Sequence, residues 1–173
     1  PAHSRAIIYS PCCHDTTSFS DKFRESDSSP GVQLKSVGEA MAFGQTFKEA
    51  LQKSIRSLEQ GRFGFGFDKV TDVAFDRASA LAQAPLVQRL RQRTSTSLFD
   101  LYEALVVGMA TDEIHVLTKY DPWFIEQCRE IVELGLDVLA AAGALRDGLD
   151  ALDPDTMRRC KRAGFSDVQL ALF

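Results

Sequence analysis

The densest group of metal-ligating side chains in this 173-residue sequence is Cys12, Cys13 and His14. Structural zinc sites use spaced cysteine pairs, with a second pair of ligands further along the chain. Adjacent cysteines would strain a single tetrahedral site, and the sequence offers no second cluster. We therefore interpret this group as part of a loop and predict no metal site in the chain.

A second candidate is the stretch GRFGFGF, which contributes Gly61, Gly64 and Gly66. A phosphate-binding loop follows a strand and opens a helix, and its Lys directly precedes Ser or Thr. This stretch instead follows a helical pattern, and Lys69 lacks that neighbour. The sequence favours a turn whose Phe63, Phe65 and Phe67 fill the core, and it predicts no nucleotide cofactor here.

Nucleophilic catalysis needs a nucleophile, a base and a group that orients the base. The three histidines, His3, His14 and His115, are scattered, and none stands beside Ser or Cys with a third such group. His115 lies between Ile114 and Val116, which favours a structural role. We predict no catalytic residue, although a small enzyme that uses Cys12 or His14 stays open as a hypothesis.

A basic run on one predicted helix contains Arg158, Arg159, Lys161 and Arg162. These cations would complement the negative end of the helix dipole on a solvated face, or alternatively dock on an acidic partner. The net charge of −4 argues against nucleic acid as that partner. The apolar run over residues 138–145 is too short to cross a membrane.

Helix signals dominate the elements that would position these groups. Thr46 and Glu49 resemble a capping box for a helix over residues 46–60, which Gly61 would end at its C′ position. Pro85 suits the start of a short helix through residue 93. Ser97, with Asp100 three residues later, would cap the next helix, and Gly108 would close it. A further short helix is expected over residues 111–116.

The clearest helix start is DPWFIEQ, where Asp121 would cap and Pro122 would take the first helical position. Its apolar face is predicted to contain Trp123, Phe124, Cys128, Ile131, Val132, Gly135 and Val138. Asp153 and Pro154 repeat the device before a helix that Gly164 stops. Ser166 and Gln169 would then cap a final helix.

No segment shows sustained period-two alternation, so we predict an all-α protein: a single irregular helical domain of about six to eight helices. Residues 1–33 read as a loop-like tail, in which Ala6–Tyr9 is compatible with a short strand, and residues 34–173 as the helical domain. A weak helical pattern begins near residue 76. Cys128 and Cys160 fall on helices as buried thiols, which indicates a reducing compartment. The chain lacks an initial Met and ends within a helical pattern, which suggests a piece of a longer polypeptide.

Three separated motifs resemble the large subunit of carbamoyl phosphate synthetase. The first resembles the family's exit from an ATP-grasp unit through Lys35, Ser36, Val37, Gly38, Glu39, Met41, Gly44 and Thr46. The second, TKYDPWF, matches through Asp121, Trp123 and Phe124. The third, CKRAGFSD, matches through Lys161, Gly164, Phe165 and Asp167. Ala40 and Gln45 depart from the family's usual Val and Arg, residues 63–84 match poorly, and residues 1–18 look like an insertion.

The resemblance implies that this chain is the helical oligomerization (connection) domain between two ATP-grasp synthetase units, without a catalytic site of its own. The parent would make carbamoyl phosphate from bicarbonate, glutamine-derived ammonia and two ATP, for pyrimidine or arginine biosynthesis. ATP and Mg (or Mn) would bind in other domains. The residues from Lys35 to Met41 would form a hinge, with Gly38 at the turn.

The same resemblance implies several partners: the flanking synthetase domains, further copies of the chain, and a glutaminase subunit or domain. Nucleic acid and membranes are not expected. The location implied is cytoplasmic, or an organelle for a eukaryotic parent. The alternative is a free-standing helical module for protein interaction, which the neighbouring coding sequence would distinguish.

Overall fold

The computed structural model describes residues 6–9, 40–58, 60–68, 83–92, 96–144 and 152–173. These residues form two strands and seven helices: β1 (Ala6–Tyr9), β2 (Met41–Gly44), α1 (Phe47–Ser57), α2 (Gln83–Arg91), α3 (Ser97–Val106), α4 (Thr111–Thr118), α5 (Pro122–Ala144), α6 (Pro154–Arg162) and α7 (Asp167–Leu170). The prediction of an all-α protein with six to eight helices is confirmed. Cys12, Cys13, His14, most of the predicted tail and the weak helix near residue 76 lie outside the described residues.

A small antiparallel sheet precedes the helices. β1 pairs with β2 so that Ala6 lies opposite Gly44 and Tyr9 opposite Met41. The strand at Ala6–Tyr9 agrees with the sequence, but β2 was not predicted, because four residues are too few for alternation to stand out. Met41, the last residue of the predicted hinge, is the first residue of β2, and the hinge itself stays a prediction.

The long helix α5 organises the core, since it contacts α1, α3, α4 and α6. Its buried side chains recur at helical spacing and are Ile125, Cys128, Ile131, Val132, Leu134 and Val138. α2 closes the assembly from the side by packing against α3 and α4. Full burial of each aliphatic side chain stabilises the fold by roughly 1.5–3 kcal/mol, so this stripe is a principal source of stability. None of the described helices is both long and apolar enough to cross a membrane.

Four predicted N-terminal caps are confirmed by hydrogen bonds. The backbone N–H of Glu49 donates to Thr46 Oγ1 (3.2 Å), and that of Trp123 donates to Asp121 Oδ1 (2.8 Å). Asp153 caps α6, and Ser166 forms a complete capping box with Gln169. The cap predicted at Ser97 is wrong by one residue, because α3 begins at Ser97 itself and its N-cap is Thr96. Thr96 and Ser97 are neighbours, and both residue types favour the N-cap position, so the sequence alone does not decide which of them is the cap.

Two predicted glycine stops are confirmed, and a third is wrong. Gly108 and Gly164 both have positive φ, +84° and +90°, directly after the C-caps of α3 and α6. Each is followed by a residue whose N–H donates to the carbonyl of the third-last residue of the helix, as in a Schellman motif. α1 ends earlier than predicted, at Ser57 with Leu58 as C-cap, so Gly61 lies three residues beyond that cap.

Candidate functional site

The glycine-rich stretch over residues 60–68 is built into the core. Phe65 and Phe67 are buried and meet the ring of Tyr102 edge-on, at centroid distances of 5.6 and 5.5 Å. This confirms the prediction that phenylalanines of the stretch fill the core. Phe63 is the exception, since it is only half-buried. Its carbonyl oxygen instead accepts a hydrogen bond from Ser166 Oγ at 3.0 Å.

Two fully buried glutamines hold this loop in place. Gln52 of α1 accepts a hydrogen bond from the backbone N–H of Phe65 (3.1 Å) and donates one to the carbonyl of Ala163 (3.0 Å). Gln169 of α7 donates to the carbonyl of Gly66 at 2.9 Å. A buried backbone group without a hydrogen-bond partner costs free energy. These two side-chain amides satisfy such groups of the loop, offset the cost of burying the amides themselves, and hold the loop in one position. Nothing in the sequence indicates the burial of Gln52, since Gln is usually exposed, and Gln169 is predicted only as a capping residue.

The glycines of this region are required by close packing. A Cβ on Gly66 would lie 2.0 Å from Tyr102 Cε2, and Gly66 also has a φ of +72°. On Gly64, a Cβ would lie 2.3 Å from the amide oxygen of Gln52. The space that a phosphate would need beside these glycines is therefore filled by side chains of the protein itself.

A buried charge pair closes the end of the loop. Arg62 Nη1 lies 3.6 Å from the Asp68 carboxylate, and its guanidinium carbon lies 3.5 Å from the ring centroid of Phe99. Burial lowers the pKa of Arg62, and the negative charge of Asp68 opposes that shift. Contacts with the Phe99 ring and with the Asp68 carboxylate thus replace part of the hydration that the Arg62 guanidinium loses on burial. This pair joins both ends of the loop to α3.

The remaining candidates for chemistry in the described part of the chain take structural roles. His115 Nδ1 lies 2.6 Å from the carbonyl oxygen of Tyr120, so that nitrogen carries a proton and donates it to the end of α4. Cys128 and Cys160 are buried thiols. Burial raises the pKa of Cys160, which keeps it in the protonated, unreactive form. Among the described residues, no group of three metal-ligating side chains converges.

The basic run of α6 is largely used by the domain itself. Arg158 pairs with Asp155 (2.6 Å), and Lys161 pairs with Asp167 (2.9 Å) while also donating to the carbonyl of Phe165. The bond from Lys161 is the main cause that lowers the pKa of Asp167. The other two arginines line an open cleft of about 340 Å³ whose walls are Thr46, Lys48, Glu130, Glu133, Leu134, Asp137, Arg159, Arg162 and Ala163. Acidic and basic groups alternate there, so the cleft has no single sign of charge.

The third motif, around Gly164, joins the C-terminal helices to α1. Phe165 is buried, and the carbonyl of Gly164 accepts a hydrogen bond from Arg56 Nη1 at 2.7 Å. A Cβ on Gly164 would lie 2.8 Å from the Cα of Glu49, so only glycine permits this approach. Here the matched residues perform a packing function that the sequence did not reveal.

The residues of the first motif fall partly outside the described part of the chain. Lys35, Ser36, Gly38 and Glu39 lie there, so their junction role stays a prediction. Of the others, Met41 begins β2, and Gly44 ends it with its α-carbon against α1, where a Cβ would lie 2.6 Å from the backbone N of Ala50. Thr46 caps α1. Glu49 departs from an ideal capping box, because it accepts from the N–H of Gln45 at 2.7 Å.

The second motif contains the feature that sequence reasoning placed wrongly. Trp123 and Phe124 were expected on the apolar face of α5, yet they are 54% and 47% exposed. Both rings contact the half-buried Phe47, at centroid distances of 5.5 and 5.2 Å, and each other at 4.9 Å. We call Phe47, Trp123 and Phe124 the aromatic surface cluster. Large exposed aromatic groups of this kind mark interaction surfaces.

Comparison with known proteins agrees with this picture of packing and surface. A family model described as "Carbamoyl-phosphate synthetase large chain, oligomerisation domain" matches residues 39–173. The chain is 41% identical over 151 residues to the carbamoyl phosphate synthase large chains of Gemmatimonas aurantiaca and Rhodopirellula baltica, and 39% over 152 residues to that of Archaeoglobus fulgidus. These alignments cover at least 87% of this chain but 13% of each relative, so the chain spans only a small part of their length. The chain therefore belongs to the family of oligomerisation domains of carbamoyl phosphate synthetase large chains.

Proposed function

We propose that this domain is a non-catalytic connection and assembly module within a carbamoyl phosphate synthase large chain. Its parent makes carbamoyl phosphate from bicarbonate, glutamine-derived ammonia and two ATP, and feeds pyrimidine or arginine biosynthesis. Its partners are the flanking ATP-grasp domains, further copies of the large chain, and a glutaminase. The buried thiols of Cys128 and Cys160 suit a reducing location, and we place the parent in the cytoplasm or in an organelle.

The family match over residues 39–173 is the observation that carries this proposal. The side chains of the described residues support it, because those suited to chemistry are engaged in holding elements together. His115 bonds to a backbone carbonyl, and Lys161 bonds to both Phe165 and Asp167. Such groups position helices and have no geometry suited to a reacting substrate.

ATP and its Mg²⁺ (or Mn²⁺) belong, in this proposal, to other domains of the parent. The glycine-rich loop, as far as the structure describes it, does not fit a nucleotide, since it packs against Gln52, Gln169 and Tyr102. Isothermal titration of ATP into the 173-residue chain is expected to show no binding in the micromolar range. Micromolar binding would contradict a purely architectural role.

A domain exchange tests the assembly role directly. Residues 39–173 replace the matching segment of the Gemmatimonas aurantiaca large chain, and the hybrid is purified with its glutaminase. We expect the hybrid to synthesise carbamoyl phosphate and to sediment as the same oligomer as the unmodified enzyme. A second hybrid contains Gly66→Ala, which disturbs the core of the exchanged domain. This hybrid is expected to lose part of its carbamoyl phosphate synthesis and part of its oligomer. A folded hybrid that neither associates nor synthesises carbamoyl phosphate would overturn the proposal.

A further inference from the structure

The aromatic surface cluster lies where the chain enters the helical part of the fold. Phe47 is the first residue of α1, and β2 ends only three residues earlier at Gly44. β2 begins at Met41, six residues before Phe47, so the cluster lies at most about 20 Å along the chain from the point at which the preceding polypeptide enters β2. On β2, Met41 and Phe43 are also exposed, at 47% and 57%. Of the seven large hydrophobic side chains that are exposed among the described residues, four therefore belong to β2 and to the start of α5.

We propose that the aromatic surface cluster is the docking site for the domain that precedes this one in the same large-chain polypeptide, and not for a second copy of the chain. This inference rests on the proposed function, because it assumes that such a domain is present. The alignments show that each relative contains much more polypeptide than the matched segment, which is 13% of its length. A free partner or a second copy would instead have to be recruited from solution.

The area of the cluster favours a tethered occupant. An aromatic side chain buries roughly 150–250 Å² when it is fully covered, so the half-exposed Trp123 and Phe124 together offer about 200 Å². A stable complex between separate proteins buries about 800 Å² on each partner. A neighbour held by a short linker has a high effective concentration and loses little further translational freedom on docking. A small aromatic contact is enough for that neighbour and not for a separate copy.

Charge at the edge of the cluster specifies the chemistry of the occupant. Three exposed carboxylates lie near the two rings in sequence: Asp121 directly before α5, and Glu126 and Glu130 in its first turns. Lys48 pairs with Glu130, and Arg129 pairs with Glu126, so Asp121, whose Oδ1 accepts from the N–H of Trp123, is the one carboxylate of the three outside these ion pairs. The docked surface should therefore have an apolar centre that receives the rings and a rim with Arg or Lys. An arginine stacked on the indole of Trp123 would suit both features.

Hydroxyl-radical footprinting with mass spectrometry tests this inference. The oxidation rates of Trp123 and Phe124 are measured in the 173-residue chain and in the full-length large chain, purified without other subunits. We expect Trp123, now 54% exposed, to react at least about fivefold more slowly in the full-length chain, as an interface residue does. This protection should stay the same when the full-length chain is diluted about a hundredfold, because a tethered contact does not depend on protein concentration.

Two outcomes would overturn the proposal. Equal oxidation rates in the two proteins would mean that the preceding domain does not cover the cluster. Protection that appears when the 173-residue chain is concentrated, or that disappears when the full-length chain is diluted, would assign the cluster to a second copy. Neither outcome depends on synthesis of carbamoyl phosphate, so this result is separate from that of the domain exchange.

A pair of substitutions on α5 provides the matched control. Phe124→Lys places a charge in the cluster, and Leu139→Lys makes the same change at a residue that is 44% exposed. Leu139 lies fifteen residues further along α5, about 22 Å away. We expect Phe124→Lys in the full-length chain to return the oxidation of Trp123 to the rate in the 173-residue chain, and Leu139→Lys to leave it protected. Full protection in the Phe124→Lys variant would contradict the proposal, provided that its circular dichroism matches that of the wild type.

Discussion

Replacement of Gly66 by alanine separates two demands that the loop makes on this residue. The first is conformational, because a φ of +72° is unfavourable for a residue with a Cβ. The second is steric, because the added carbon would lie 2.0 Å from a ring carbon of Tyr102. Gly108 supplies the control, since its φ is +84° and a Cβ there would have no atom within 4 Å. The two variants share the first cost, and only Gly66→Ala has the second.

The magnitudes follow from these two terms. A left-handed conformation costs an L-residue about 1 kcal/mol, which is the whole expected loss for Gly108→Ala. Overpacking of a filled core adds roughly 1–3 kcal/mol, so Gly66→Ala should lose about 3 kcal/mol in total. For a chain of this size, these losses correspond to decreases in Tm of about 3 °C and about 9 °C.

Urea unfolding of both variants, followed by far-UV circular dichroism, measures the difference directly. The slope of the free energy against urea should stay unchanged, so that a shift in midpoint reports stability alone. If the two variants lose the same free energy of unfolding, Tyr102 moves aside without cost and the loop is not a rigid part of the core. That result would also remove the packing argument for excluding a ligand from the loop.

Three further substitutions test other parts of the same reasoning. In Gly135→Ala, the higher helix propensity of alanine should stabilise α5 by about 1 kcal/mol. We nevertheless expect the free energy of unfolding in urea to fall by about 1 kcal/mol, because the new Cβ would lie 2.2 Å from the ring of Phe67. A gain in stability would contradict this contact. Gln169→Leu should cost about 2–4 kcal/mol by the same assay, since the buried carbonyl of Gly66 and the part-buried N–H of Ser166 lose their partner. Hydrogen bonds from the Lys53 side chain and from the backbone N–H of Gln45 lower the pKa of Glu49 below its ordinary 4.5. The ionised Glu49 carboxylate therefore stabilises the fold above pH 4.5, and this stabilisation is lost as the pH falls through the lower pKa of the folded state. Between about pH 6 and about pH 3, thermal unfolding of Glu49→Gln should therefore change less than that of the wild type, and equal changes would refute the assignment.

Signals that are local in sequence predicted the fold well. A cap such as Asp121 or Ser166 needs only its next three residues, and all of these are visible in the sequence. A C′ glycine likewise acts within one turn, which is why Gly108 and Gly164 were assigned correctly. Gly61 was assigned wrongly, because helical periodicity continues past the point at which tertiary packing ends α1.

Contacts between distant elements could not be derived in this way. Gln52 and Gln169 look like surface residues in sequence, and only the folded chain brings their amides to the same loop. Arg89 and Asp100 form a similar example, since their 2.7 Å ion pair joins α2 to α3 without a recognisable spacing. Such pairs depend on how helices meet, and a helical period does not contain that information.

The misplacement of Trp123 and Phe124 has a physical cause that bears on function. In helical projection Trp123 points away from the buried stripe of α5, whereas Phe124, four residues before Cys128, continues it. Phe124 is exposed because it lies in the first turn of α5, ahead of Ile125, where the buried stripe begins. The amides of Gln52 and Gln169 find their partners inside the domain, whereas the exposed rings can lose their contact with water only against something outside it. Substitutions in the core should therefore lower the stability of the domain in any context. Substitutions in the aromatic surface cluster should act only when the rest of the polypeptide is present, and that contrast separates a structural role from an interface.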